Sequence, residues 1–237
     1  MKKKFLKLVF GTIVISLVII LLNINVTTRQ GVNFKVHTIK LPLYLKVLDF
    51  FARHYNYNIL VAEIIGKAKT GEERALRIFL WTHQHIKPQP EELPVIDDHV
   101  WNIIIRGYGI DDQSADVFAT LCNYAGLDAF FSQISSQDKE EAIVVSFVKI
   151  MGKWYVFDPG KGVYFVDAIG RMMDLEGMRA KNTWLVKNVG IDNNLAYARF
   201  FENLPLLKDV DLRRSNIQSP FRRLAFEVKK RFGLSQN

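Results

Sequence analysis

Two stretches decide how this chain folds: Arg106-Gly107-Tyr108-Gly109-Ile110-Asp111 and Gly152-Lys153-Trp154-Tyr155-Val156-Phe157-Asp158-Pro159. The first is a glycine-rich turn that opens a helix. From Asp111 onward Ala115, Phe118, Ala119, Cys122 and Ala125 share one face at helical spacing, and Gly126 closes the run as a C-terminal cap. The second stretch is a strand bounded by turn chemistry, Gly152 before it and Asp158-Pro159-Gly160 after it. Around it lie other short β-branched and aromatic runs: Ala129-Phe130-Phe131, Ile143 to Ile150 and Val163 to Val166. Helices followed by an antiparallel meander predict an α+β domain with helices packed on an antiparallel sheet.

Working outward, two more helices precede the first stretch. Leu41, Leu45, Leu48, Phe51, Ile59, Leu60, Ile64 and Ile65 recur at largely helical spacing up to about Lys67. Thr70 and Glu73 then form a capping-box pattern ahead of Ala75, Leu76, Ile78, Phe79, Trp81 and Thr82. Pro88 ends that helix and, with Pro90 and Pro94, marks a loop. Past the strands, Ser219-Pro220 starts a tail helix running to Gly233. Its Phe221, Leu224, Phe226 and Val228 are mixed with Arg222, Arg223, Lys229, Lys230 and Arg231, a pattern that suits a membrane surface, a partner, or simply the cover of a core.

The 237 residues are 49% hydrophobic and 24% charged, which fits one medium domain with appendages and excludes a disordered or polytopic chain. The net charge of +8 is split between the two ends of the chain. That division suits membrane-surface charge better than a nucleic-acid groove, and no zinc finger or aromatic RNP-type strand is present, so no nucleic-acid partner is expected. Cys122 is the only cysteine, which excludes an intrachain disulfide and a cysteine metal site.

From Leu8 to Val26 the chain is apolar apart from Gly11, Thr12, Ser16, Asn23 and Asn25, just long enough to cross a bilayer. Lys2, Lys3, Lys4 and Lys7 precede it and only Arg29 closely follows. This asymmetry predicts a single N-terminal membrane anchor with its N-terminus in the cytoplasm and the domain outside. A cleaved signal peptide is the competing reading, but the Asn-Ile-Asn-Val-Thr-Thr sequence after the run lacks small residues of the A-x-A kind. The expected organisation is a Lys-rich tip and anchor over 1–26, a tether over 27–39, the domain over 40–175 and a helical C-terminal extension over 176–237.

The order of these features resembles the transglutaminase-like superfamily, whose fold is related to the papain-like cysteine proteases. The resemblance rests on the helix ending near Trp81, the proline loop, the Gly109-Ile110-Asp111 helix start, the strand pair and the Trp154-to-Pro159 strand. It covers roughly residues 70 to 165 and implies a papain/transglutaminase-like domain. In the family a Gly-x-Cys opens the helix, a His starts a strand, and an Asp closes the next strand. A helix N-terminus favours the thiolate, the histidine moves the proton, and the acid orients the histidine.

Carried over by position, the nucleophile slot falls on Asp111 and the histidine slot on Ala142, with Ile143 next; Asp158 keeps the acid slot. No histidine follows His99. The resemblance also implies a cleft lined by Trp81, Tyr108, Gly109 and Trp154. Cys122, three turns into the helix on its apolar face, reads as a small buried hydrophobe. The resulting expectation is a pseudoenzyme without a cofactor. It would bind a peptide, a glycan or a partner protein in the former substrate cleft, in cell-envelope or polysaccharide assembly.

Asp111 itself reads as a helix N-cap, worth about 1 kcal/mol. The alternative is a hydrolase or metal-dependent enzyme with a rebuilt acidic site. That site would combine Asp111 with Asp97, Asp98, His99 and Asp112, and with His83 and His85 on the preceding helix. The spacing matches no ligand motif, and two histidines two residues apart on a helix point to different faces, so no metal is expected.

Overall fold

A computed structural model describes residues 2–32, 35–97, 99–136, 138, 140–180, 184–189 and 196–201, with isolated residues 204, 207, 225, 228, 229 and 232 beyond. The chain divides into two compact units, residues 1–53 with 96–98, and residues 54–95 with 99–237.

In the first unit, helix α1 (Lys2–Leu22) contains the segment Lys3–Leu22, long and apolar enough to cross a membrane. Strands β1 (Asn25–Val32) and β2 (Lys35–Pro42) follow as an antiparallel hairpin, in register from Asn25 opposite Pro42 to Val32 opposite Lys35. Residues 27–32 and 35–39, whose composition reads as a tether, lie in these two strands. Strand β4 (Ile96–Asp97) joins β1 on its other side. Helix α2 (Leu43–Ile65) starts in this unit and runs into the next.

In the second unit, α3 (Gly71–His85) begins with the expected capping box. Glu73 N–H donates to Thr70 Oγ1 at 3.1 Å, and the Glu73 carboxylate accepts from the N–H groups of Lys69 (2.7 Å) and Thr70 (3.4 Å). Strand β3 (Lys87–Pro88) pairs in parallel with β5 (Tyr108–Gly109). Between them lies α4 (Val100–Arg106), which starts at His99, whose Nδ1 accepts from Trp101 N–H, and ends at the left-handed Gly107. Its run of β-branched residues conceals it from a propensity reading.

Helix α5 (Asp111–Tyr124) ends at Gly126 in a complete Schellman arrangement. Leu127 N–H donates to Cys122 O at 2.9 Å and Gly126 N–H to Asn123 O at 3.1 Å.

A five-stranded antiparallel sheet follows, built from β6 (Asp128–Ser135), β7 (Ala142–Ile150), β8 (Lys153–Asp158), β9 (Val163–Val166) and β10 (Leu185–Asn188) in the order β10-β9-β8-β7-β6. Successive residues of β7 separate to its two faces. Val148 and Ile150 join the core formed with α3 and α5, where Phe79, Phe118 and Phe157 meet with ring centroids 5.1–6.1 Å apart. Val145 and Phe147 join a second core with α6 (Leu175–Ala180) and α7 (Ala198–Phe201), where Phe165, Tyr197 and Phe201 stack edge to face.

Residues beyond 175 thus supply an edge strand and, among the described residues, Met178, Tyr197, Phe200, Phe201 and Leu204 of the second core. The apolar side chains of Met178, Tyr197, Phe200 and Phe201 need the free face of the sheet for burial. The tail helix expected over 219–233 falls almost wholly outside the described residues.

Candidate functional site

The start of α5 is braced from within. Gln113 Oε1 accepts from Arg106 Nη2 at 2.7 Å and from Ile110 N–H at 3.3 Å, and Arg106 Nε donates to Tyr108 O at 2.9 Å. A Cβ on Gly109 would lie 2.7 Å from Gln113 Oε1 and 3.0 Å from Gln113 Cβ, so any larger residue here must displace the Gln113 side chain. Ile110 is the N-cap and Asp111 the first helical residue. The expectation that Asp111 caps the helix is therefore displaced by one position: the side chain of Gln113 satisfies the cap N–H, and Asp111 adds negative charge to the first turn.

That charge faces the loop after β8. Lys161 Nζ lies 3.2 Å from Asp111 Oδ2, and a Cβ on Gly160 would lie 2.9 Å from Asp111 Oδ1. From α3, His83 Nδ1 donates to Pro159 O at 3.2 Å. Gly162, with φ +67°, packs so closely on the His83 ring that a Cβ would stand 2.7 Å from Cε1. The Asp158-to-Gly162 loop is thus seated on Asp111 and His83 together. Of these contacts the sequence signals only the turn chemistry of Asp158-Pro159-Gly160; Gly162, two residues on, is the local cue to a close approach.

Asp158 ends β8 and is 3% exposed. Its Oδ1 accepts from Lys161 N–H at 2.9 Å and its Oδ2 from the Tyr197 hydroxyl at 2.8 Å. Burial pushes the carboxyl up to about 6; the two hydrogen bonds oppose that shift and the negative charge of Asp111 adds to it. Tyr197 is the functional neighbour that sequence reasoning missed, since nothing local links it to a residue 39 positions away. One turn into α5, burial similarly raises the Asp116 carboxyl to about 7, against a hydrogen bond from Thr120 and with Asp112 adding to the rise.

The other expected site residues separate. Ala142 is the exposed first residue of β7, opposite Ser135. Two residues on, and on the same strand face, Val144 lines an open cleft of about 780 Å³ together with Gly109, Ile110, Asp111, Asp112 and Gln133. Trp81, Tyr108 and Trp154 are not among the lining residues. Trp81 stacks on His85 at 4.3 Å, Tyr108 lies under the Arg106 guanidinium, and Trp154 meets Phe130 edge to face. Cys122 is fully buried, and burial pushes its thiol well up.

The histidines expected near an acidic site diverge. His83 faces Pro159, His85 lies on Trp81, and His99 caps α4 with its Nδ1 3.5 Å from the Tyr57 hydroxyl. The side chains of Asp97 and Asp98 lie outside the described residues. Among the described residues no group of three His, Cys, Asp or Glu is placed to hold a metal ion.

Residues 59–159 match the Transglutaminase-like superfamily. None of the curated proteins matches the chain. Among solved structures, a proposed cysteine protease from Cytophaga hutchinsonii is similar at 13% identity and a TM-score of 0.41, over 60% of this chain and 51% of that one. A proposed protease from Parabacteroides distasonis is similar at 12% identity and 0.37, over 56% and 35%. A structure described as a TGase is similar at 11% identity and 0.36, over 57% and 44%. The chain thus spans about half or less of these proteins, and likenesses this distant carry no weight of their own. The match to the transglutaminase-like superfamily covers residues 59–159, under half of the chain, and the helix-then-meander topology of that stretch is of the kind the match implies.

Proposed function

We propose that this protein is a membrane-anchored transglutaminase-like domain that does not catalyse acyl transfer. Instead it binds a peptide, a glycan or a partner protein in the cleft beside Asp111, in cell-envelope or polysaccharide assembly. The observation that carries the reading is the chemistry at the first turn of α5. The position a nucleophilic thiol would take holds a carboxylate, and that carboxylate is paired with Lys161. The only thiol, Cys122, is buried where it can neither ionise readily nor meet a substrate.

Two further features support it. The strand face toward the cleft offers Val144, which moves no proton. Asp158, the acid that would orient an imidazole, is instead held by Tyr197 and the Lys161 N–H. The anchor is α1, and the lysines in its first turns favour a cytoplasmic N-terminus with the domain outside.

A panel of short peptides and glycan fragments, titrated against the protein by NMR, tests the reading. Shifts confined to Gly109, Asp111, Gln133 and Val144, and lost in Ser132→Trp, which fills the cleft wall, are the expected result. Turnover of any panel member that is lost in Asp111→Asn contradicts it.

A second reading, a hydrolase with a rebuilt acidic site, draws on the raised carboxyl of Asp158 close to Asp111. It predicts an activity with a pH profile breaking near 6. Chelator-sensitive activity would instead point to its metal-dependent form.

A further inference from the structure

Helix α2 carries apolar side chains on the wrong side for a water-soluble helix. Tyr44, Leu45, Val47, Leu48 and Phe51, in its first turns, are 37–61% exposed. At about 100° per residue, Tyr44, Leu48 and Phe51 form the centre of one stripe, with Leu45 and Val47 at its margins. The polar residues fall elsewhere on the cylinder. Asp49 and Arg53 pair with each other on the opposite side, and Lys46, also there, reaches back to donate to Thr27 O at 3.1 Å.

The chain path says what covers this stripe. The β1–β2 hairpin closes with Asn25 opposite Pro42, and Leu43 N–H donates to Ile24 O at 2.9 Å. The first residue of α2 is therefore returned to the point where the apolar helix α1 ends. Ile24, at that junction, is itself exposed.

We propose that the first turns of α2 lie in the interface of the same bilayer that α1 crosses. The Tyr44–Leu48–Phe51 stripe then sits among the upper acyl chains, and Lys46 and Arg53 stay on the polar side. This rests on the reading of α1 as a membrane anchor. The partner is a lipid surface, with an apolar face of the kind that sinks about 5–10 Å below the headgroups.

The test is spin-label accessibility in the full chain, reconstituted into nanodiscs of zwitterionic and anionic phospholipid. Labels go on Leu48→Cys, Phe51→Cys, Asp49→Cys and, within α1, Ile15→Cys; unlabelled wild type confirms that buried Cys122 does not react. The expected result is a ratio of oxygen to nickel-complex collisions several-fold higher at positions 48 and 51 than at 49, with position 15 deep in lipid. A lipid-exposed position 15 with water-exposed positions 48 and 51 overturns the inference and leaves the anchor standing. A water-exposed position 15 overturns both. Spin–spin broadening at position 48 also overturns the inference, because it places a second copy on the stripe.

Discussion

Asp111 and Asp158 are two carboxylates of one site in opposite surroundings. Asp111 stands half in water at a helix N-terminus with the Lys161 ammonium 3.2 Å away. Asp158 is buried, with both oxygens occupied by donors, and its carboxyl is raised to about 6. The comparison separates a carboxylate built into the framework from one held at its surface. Asp158 closes a turn, satisfies Lys161 N–H and anchors Tyr197 to the second core, so its removal would cost structure even in a protein that catalyses nothing. Asp111 serves a surface ion pair, a helix end and the seat of Gly160, all of which an uncharged side chain of the same shape leaves largely in place.

The largest effect that sharpens this contrast is pH-dependent. The folded state holds the proton of Asp158 more tightly than the unfolded state, so its contribution to stability is present below pH 3.8 and is lost as pH rises to about 6. The loss amounts to about 3 kcal/mol for a shift of this size. Denaturant unfolding from pH 4 to 8 is expected to show that fall in wild type and a flatter curve in Asp158→Asn. Asp116→Asn removes a further part of the slope at higher pH, because that carboxyl is raised to about 7. A wild-type curve that rises across this range contradicts the burial argument.

Next in size is Gly109→Ala. Its methyl group must displace Gln113 and loosen the Arg106–Gln113 brace, at about 2 kcal/mol. Thermal unfolding measures the loss. The amide resonances of residues 110–113 are expected to shift while those of β9 and β10 stay in place.

The smallest effect belongs to Asp111 itself. Lys161→Met, which keeps the aliphatic stem and removes the ammonium, is expected to change stability by less than about 1 kcal/mol, and Asp111→Asn by a similar amount. A loss near that predicted for Gly109→Ala would show that Asp111 is built into the framework as firmly as Asp158.

Local chemistry was legible in the sequence wherever it determines structure. The Thr70–Glu73 box, the Gly126 terminus and the alternating strands from Asp128 to Val166 stand where their residue patterns place them, because each depends on neighbours a few residues apart. The β1–β2 hairpin was not legible, since its polar residues lack a clear apolar alternation. The site was legible as positions in a family pattern but not as contacts. The seating of Gly160 and Gly162 on Asp111 and His83, and the Tyr197–Asp158 bond, join residues 39 to 79 positions apart. Cleft lining followed the pleat of β7, which brings Val144 to the wall, and the aromatic residues expected there pack elsewhere.

Intact-mass spectrometry after incubation with activated glutamine and peptide esters, with a rapid acid quench, tests the central claim most directly. Full-length protein is expected to keep its unmodified mass and release no ammonia or acid product. A covalent acyl adduct mapped to Asp111, with turnover abolished in Asp111→Asn, would contradict it.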